Sequence, residues 1–241
     1  MRNSIILVIS IFVSFGLQGQ LNPQSKKITK NFFPDSESLL PITPALKKKR
    51  GYTNYTELIN FINELKESHP SVVSIQYIGE SQKGYNIPVV HIKTTNSSEK
   101  IKIWMQAGLH GNEPAGTEGL LYYMHSILND ATYDKLLHGV DLLILPMANI
   151  DGYLKDNRYA ANGLDLNRDQ TKLMAPETRL IKKVFSDFNA HVGLDFHEYR
   201  PYRKDFAQLS DFGITSAYDT MFLYSGNLNV PENIRNYTNN V

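Results

Sequence analysis

The chain has 241 residues and a formal net charge of +1, from 25 basic and 24 acidic side chains, and it contains no cysteine. That length suffices for one domain with a real core, and the balanced charge gives no general reason to expect nucleic acid as a partner. The absence of thiols excludes disulfides, thiolate zinc sites and cysteine nucleophiles, so any bound metal must be held by histidines and carboxylates.

At the N-terminus, Arg2 precedes the apolar run IILVISIFVSFGL, followed by Gly19 and the polar QLNPQSKK. This is the charged, apolar and cleavage-region order of a secretory signal peptide, and the run is short for a membrane span. Residues 1–19 are therefore expected to be a signal peptide. The protein is expected to be exported through the secretory pathway, to the periplasm or the exterior, with no stable membrane span after cleavage. Residues 20–50, punctuated by prolines and closed by KKKR, read as a linker or short pro-segment.

From Tyr52 the texture changes. YTELINFINELKESH places Leu58, Ile59, Phe61, Ile62 and Leu65 near helical spacing, and Pro70 closes it. SVVSIQYIG and NIPVVHIKT are β-rich runs around a turn at ESQKGY, which predicts a hairpin. IKIWMQA is a further strand, and PAGTEGLLYYMHSILND a helix with Pro114 near its first turn, where a missing N–H costs little. VDLLILPMA is continuously apolar, as in a strand buried on both faces. PETRLIKKVFSDFNA reads as a helix and HVGLDFH as a strand, while the residues beyond show no clear closing element. Strands alternating with helices predict an α/β fold, a mixed and mostly parallel central sheet flanked by helices.

The segment AGLHGNEPAG falls at the carboxyl end of one strand and the start of a helix, the edge at which open α/β sheets bind ligands. Its Gly, Asn and Pro would also suit a plain turn. His110 and Glu113, however, are spaced to reach one cation from a single turn. One more nitrogen would complete a two-His, one-Glu zinc site with a position left for water. Among seven histidines, His197 ends the strand GLDFH, so parallel strands can bring it to His110. Between them, NRYAANGLDLNRDQ supplies arginines whose planar forks suit a carboxylate, with loop ion pairs as the plainer alternative.

In the order and spacing of its HPSVVSIQYIGESQKGYNIPVVHI, GLHGNE, NIDGY, NGLDLNR and DFH segments, the chain resembles the zinc carboxypeptidases related to carboxypeptidase A, from about Tyr52 to His197. The resemblance implies that His110, Glu113 and His197 ligate one Zn2+ and that Asp165 orients His110. It also implies that Asn167 and Arg168 hold the terminal carboxylate of a peptide substrate and that Arg158 polarises the scissile carbonyl. The implied reaction is metal-assisted hydrolysis of the C-terminal bond of peptides or cell-wall peptides, by a monomer. Where the family pattern often has NPDG this chain has Asn149-Ile150-Asp151-Gly152, and Asp169-Gln170 stand where an aromatic often follows. The family takes its general base from a Glu on a later strand, and no such Glu is found here. Glu198 adjoins a ligand, but strand alternation points it away, and Glu232 lies in a polar, loop-like stretch. The resemblance thus implies a catalytic domain at 51–241 whose C-terminal part is missing, with an incomplete sheet and very low activity. Related deacylases of N-acyl amino acids share GxHGNE and DLNR. A deacylase-like zinc hydrolase and an inactive zinc- and peptide-binding homologue therefore stand as alternatives.

Overall fold

Strand β4 (Val140–Leu145) is buried at every position, and the sheet is built outward from it. On one side β3 (Ile101–Ala107) runs parallel, with Ile101 opposite Val140 and Gln106 opposite Leu145. On the other side β2 (Asn86–Lys93) runs antiparallel, with Lys93 opposite Asp141 and Val90 opposite Ile144. The hairpin partner β1 (Val73–Glu80) lies beyond β2, and β5 (Val192–Phe196) lies beyond β3, parallel to it. The order is β1-β2-β4-β3-β5. The α/β class and the mixed sheet expected from the sequence are observed, β4-β3-β5 forming the parallel part and the hairpin the antiparallel part.

This computed structural model describes residues 27, 31, 40–95, 99–198 and 229–239. The chain divides into two compact units, Met1–Ile42 and Thr43–Val241, and of the first only Lys27, Asn31 and residues 40–42 are described. The expected signal peptide at 1–19 and most of the expected linker lie outside the described residues. No helix among the described residues is long and apolar enough to cross a membrane.

Helix α1 (Tyr55–Ser68) buries Leu58, Phe61, Ile62 and Leu65, the single stripe that its spacing predicts. Asn54 and Glu57 form a capping box at its start, an arrangement worth about 1 kcal/mol. Between β3 and β4 come α2 (Ala115–Asn129), a 3-10 turn (Ala131–Tyr133) and α3 (Asp134–Gly139). Between β4 and β5 come the single turn α4 (Ile150–Tyr153) and α5 (Pro176–Phe188). Helix α5 covers one face of the sheet, where Phe185 meets Trp104 edge-on. Helix α2 covers the opposite face, where Gly116 lies against Phe196. Successive strand residues alternate faces, so Trp104 with its register partner Gly193 and the side chain of Phe196 are on opposite sides.

One departure from expectation lies beyond β5. A helix, α6 (Glu232–Asn239), forms where the sequence showed no closing element, and Glu232 opens it instead of lying in a loop. Pro231 directly before a Glu in the first turn is a start signal that the polar composition obscured.

The one polar position inside the apolar run of β4 is matched by partners. Asp141, alone among the β4 side chains in carrying charge, is 2% exposed and pairs with Lys93 at 2.9 Å and with His91 on the neighbouring β2. Burial pushes its carboxyl up, but the Lys93 and His91 contacts prevail and hold it below the ordinary 3.8. A depressed folded-state value means the pairing stabilises above the unfolded carboxylate range and fades as pH falls through it. The expected result is a melting-temperature gap between the protein and its Asp141→Asn variant that is full near pH 6 and narrows steadily below pH ~4. A gap that stays constant down to pH 2 would contradict the pairing.

Candidate metal centre

The carboxyl end of β3 runs directly into the HGNE turn. Past the end of β4 the two segments remain paired, Ala148 N–H donating to Ala107 O and Asn149 N–H to Gly108 O, both at 2.9 Å. Glu113 N–H then donates to His110 O at 3.1 Å, which closes the turn and puts both side chains on one side of it. Helix α2 starts immediately afterwards. His110 and Glu113 are buried, whereas His197, the first residue past β5, is more open.

Because β5 is parallel to β3 and pairs Phe196 with Ala107, His197 emerges at the same edge as the turn. Glu113 lies between the two imidazoles. Its Oε1 is 2.8 Å from His110 Nδ1 and its Oε2 is 2.8 Å from His197 Nδ1. One donor atom from each of the three residues lies within 4.8 Å of the others, so the group can hold a metal ion. The donor set, two imidazoles and one carboxylate, suits zinc and leaves a coordination position for water. Burial pushes the Glu113 carboxyl up, but hydrogen bonds from His110, His197 and the Glu198 amide outweigh it and hold it at about 2. Asp195 and Glu113 together raise His197 to about 9 against the opposing effect of burial.

The remaining sequence candidates surround this group. Asp165 Oδ1 is 3.1 Å from His110 Nε2, and its Oδ2 accepts from Arg158 Nε at 3.0 Å. Burial raises the Asp165 carboxyl, but Arg158 and His110 hold it below its usual value. Arg158 also reaches Glu113 Oε1 at 3.5 Å, a long contact. Asn167 Nδ2 stands 3.3 Å from His197 Nε2. Arg168 is exposed at the rim, its guanidinium donating to Asn167 O at 3.2 Å. A cavity of about 260 Å³ opens beside Asn167 and Asp195, lined further by Gln170, Lys182, Phe185 and Leu194.

Four residues not assigned from the sequence also shape the centre. Glu198 Oε2 accepts from Ala115 N–H at 3.0 Å, so its carboxylate is engaged by the start of α2, while its amide donates to Glu113 Oε2 at 3.1 Å. Asp195 Oδ2 lies 3.1 Å from His197 Nε2. The D-x-H spacing on a strand was a readable signal for that contact, since residues two apart share a face. Asp151 of NIDG is buried and accepts from Ser81 Oγ at 2.7 Å and Lys83 N–H at 3.1 Å, fastening the β1–β2 turn. Asp169 is likewise buried and accepts from Met174 N–H at 3.0 Å and Ala175 N–H at 2.8 Å, so this departure from the family pattern organises the approach to α5.

The zinc carboxypeptidase family profile matches residues 58–212. The chain belongs to the zinc carboxypeptidase family. Among curated relatives it is 34% identical over 192 residues to a probable carboxypeptidase 2 of Arthroderma benhamiae, covering 77% of this chain and 36% of the relative. Carboxypeptidase 2 of Trichophyton rubrum matches equally well, at 34% identity over 192 residues, with 77% and 35% covered. Among solved structures, carboxypeptidase A from Helicoverpa armigera superposes with a TM-score of 0.56 at 26% identity, over 62% of this chain and 46% of that one. The chain thus spans about a third of the length of the curated relatives it matches.

In this zinc carboxypeptidase homologue the GLHGNE and NIDGY segments are held together backbone to backbone. A Cβ at Gly111 would lie 2.1 Å from Gly152 C and 2.5 Å from Asn157 O, neither of which can yield as a flexible side chain could. Gly111→Ala should therefore destabilise the fold by about 1–3 kcal/mol, the usual cost of overpacking, and displace His110 and Glu113. Thermal unfolding and zinc titration of the variant check this, and wild-type values in both would refute the packing argument.

Proposed function

We propose that the chain is a zinc-dependent carboxypeptidase module that binds peptides by their free C-terminal carboxylate, with the terminal peptide bond as its target. The observation that carries the reading is the convergence of His110, Glu113 and His197 from two strand ends onto one point. These three would hold one Zn2+, and the ion would supply an acidified water and a Lewis acid for the scissile carbonyl.

The other roles belong to the chain's own groups. Arg158, braced by Asp165, would donate to the carbonyl oxygen as negative charge develops there. Asp165 would keep His110 in one tautomer through Nε2. Arg168 and Asn167, at the rim, would take the terminal carboxylate, and the adjoining cavity would receive the last side chain. The N-terminal run supports export through the secretory pathway, which is compatible with peptide or cell-wall peptide substrates.

A second reading, binding without efficient turnover, rests on the neighbouring carboxylates. Asp165 is engaged by Arg158 and His110, Asp195 by His197, and Glu198 by the α2 backbone. Each lacks the freedom expected of a general base.

Zinc titration of the 241-residue chain, followed by assays on N-blocked dipeptides, cell-wall peptides and N-acyl amino acids side by side, tests these readings. One zinc per chain is expected, lost in His110→Ala and His197→Ala. Failure of the wild-type chain to take up zinc would sink both readings, and release of product from N-acyl amino acids alone would favour a deacylase. Arg168→Ala should weaken binding of peptides with a free C-terminus by about 10-fold or more, the scale of a charge-assisted hydrogen bond. C-terminally amidated peptides should be unaffected, and equal losses for both would remove Arg168 from the carboxylate site.

A further inference from the structure

An imidazole that ligates through one nitrogen carries its proton on the other, and the acceptor at that second nitrogen fixes both the tautomer and the ring plane. The two histidines of the centre have matching surroundings. His110 turns Nδ1 to Glu113 Oε1 at 2.8 Å and Nε2 to Asp165 Oδ1 at 3.1 Å. His197 turns Nδ1 to Glu113 Oε2 at 2.8 Å and Nε2 to Asp195 Oδ2 at 3.1 Å. We infer that Asp195 is a positioning residue for the third ligand, the counterpart at His197 of Asp165 at His110. The inference rests on the metal-site reading above.

Asn167 does not fill this role with its amide nitrogen. Its Nδ2, 3.3 Å from His197 Nε2, is a donor facing a nitrogen that must itself donate once Nδ1 serves the metal. Asp195 supplies the acceptor, leaving the Asn167 amide for other partners. Strand geometry puts Asp195 in place, since residues two apart on β5 and its extension face the same side. The two carboxylates also differ in a way that bears on the effect. Arg158 pairs with Asp165 at 2.9 Å, whereas among the described residues His197 is the one cationic partner of Asp195 within ion-pair distance. Among the described residues, then, no other cation pairs with Asp195, and it meets His197 at the more open end of the centre, where packing does least to hold the ring.

The test compares zinc affinity, by competition with a chelator of known affinity, and metal-free melting temperature for the 241-residue chain, Asp195→Ala and Asp195→Asn. Asp187→Asn, which alters an exposed pair with Lys183, serves as control. Loss of an outer carboxylate partner typically lowers metal affinity 10- to 100-fold. That loss is expected for Asp195→Ala, with a smaller one for the isosteric Asn, whose carbonyl oxygen can still accept, and none for the control. In both Asp195 variants the loss should exceed anything attributable to metal-free stability. Wild-type zinc affinity in both variants, or an affinity loss that merely tracks a lowered metal-free melting temperature, would overturn the role of Asp195 alone. A wild-type chain that takes up no zinc would overturn this inference together with the reading on which it rests.

Discussion

Glu113 accepts from two imidazoles, one three residues before it and one 84 positions after it, and much of the surrounding structure serves to keep those three groups together. The short-range half is local, set by the turn that brings Glu113 N–H to His110 O. The long-range half depends on β5 lying parallel to β3 in a register that pairs Ala107 with Phe196. Slipping that register by one residue would turn His197 to the other face and dissolve the group. The centre is therefore a consequence of strand pairing as much as of the side chains themselves.

Several polar residues within the recognisable motifs hold the scaffold instead of facing a substrate. Asn149 accepts from Gly152 N–H at 3.0 Å and sends its amide toward Leu109 O and Arg158 O, linking the two loops that carry His110 and Arg158. Asp151 and Glu177, both buried, receive the β1–β2 turn through Ser81, Lys83 and Gln82. Buried carboxylates in these positions are tolerated because backbone and side-chain N–H and O–H groups satisfy them, and an unsatisfied one would be costly. The hairpin is thereby tied to the loops after β4. A distant part of the sheet is thus mechanically connected to the centre.

At the open side, β5 is hydrogen-bonded to β3 alone among the described strands, and Val192, Leu194 and Phe196 are exposed although apolar. Leu194 and Asp195 of this strand line the cavity, and Arg168 and His197 are likewise exposed. The inner donors His110 and Glu113 are buried by loops and helix starts, while His197 is more accessible.

Much of this was legible in the chain. The apolar stripe of α1, the continuous run of β4, the hairpin and the HxxE spacing follow from periodicity and composition, because local packing demands them whatever the rest does. His197 could be nominated because it ends a strand. What no local pattern contained was the strand order β1-β2-β4-β3-β5, the distance from His197 to Glu113, or the partners of Asp151, Asp169 and Glu198. Those are contacts between segments far apart in the chain or across a turn, and their geometry exists only after the sheet has chosen its register. The helix at Glu232–Asn239 was missed for a different reason, since so short and polar a segment offers only Ile234 and Tyr237 from which to read a period. By itself the sequence determined which residues could bind a metal and which strands would carry them. Tertiary structure decided that they meet, and at what distances, because the approach of groups far apart in the chain is set by the packing of whole elements.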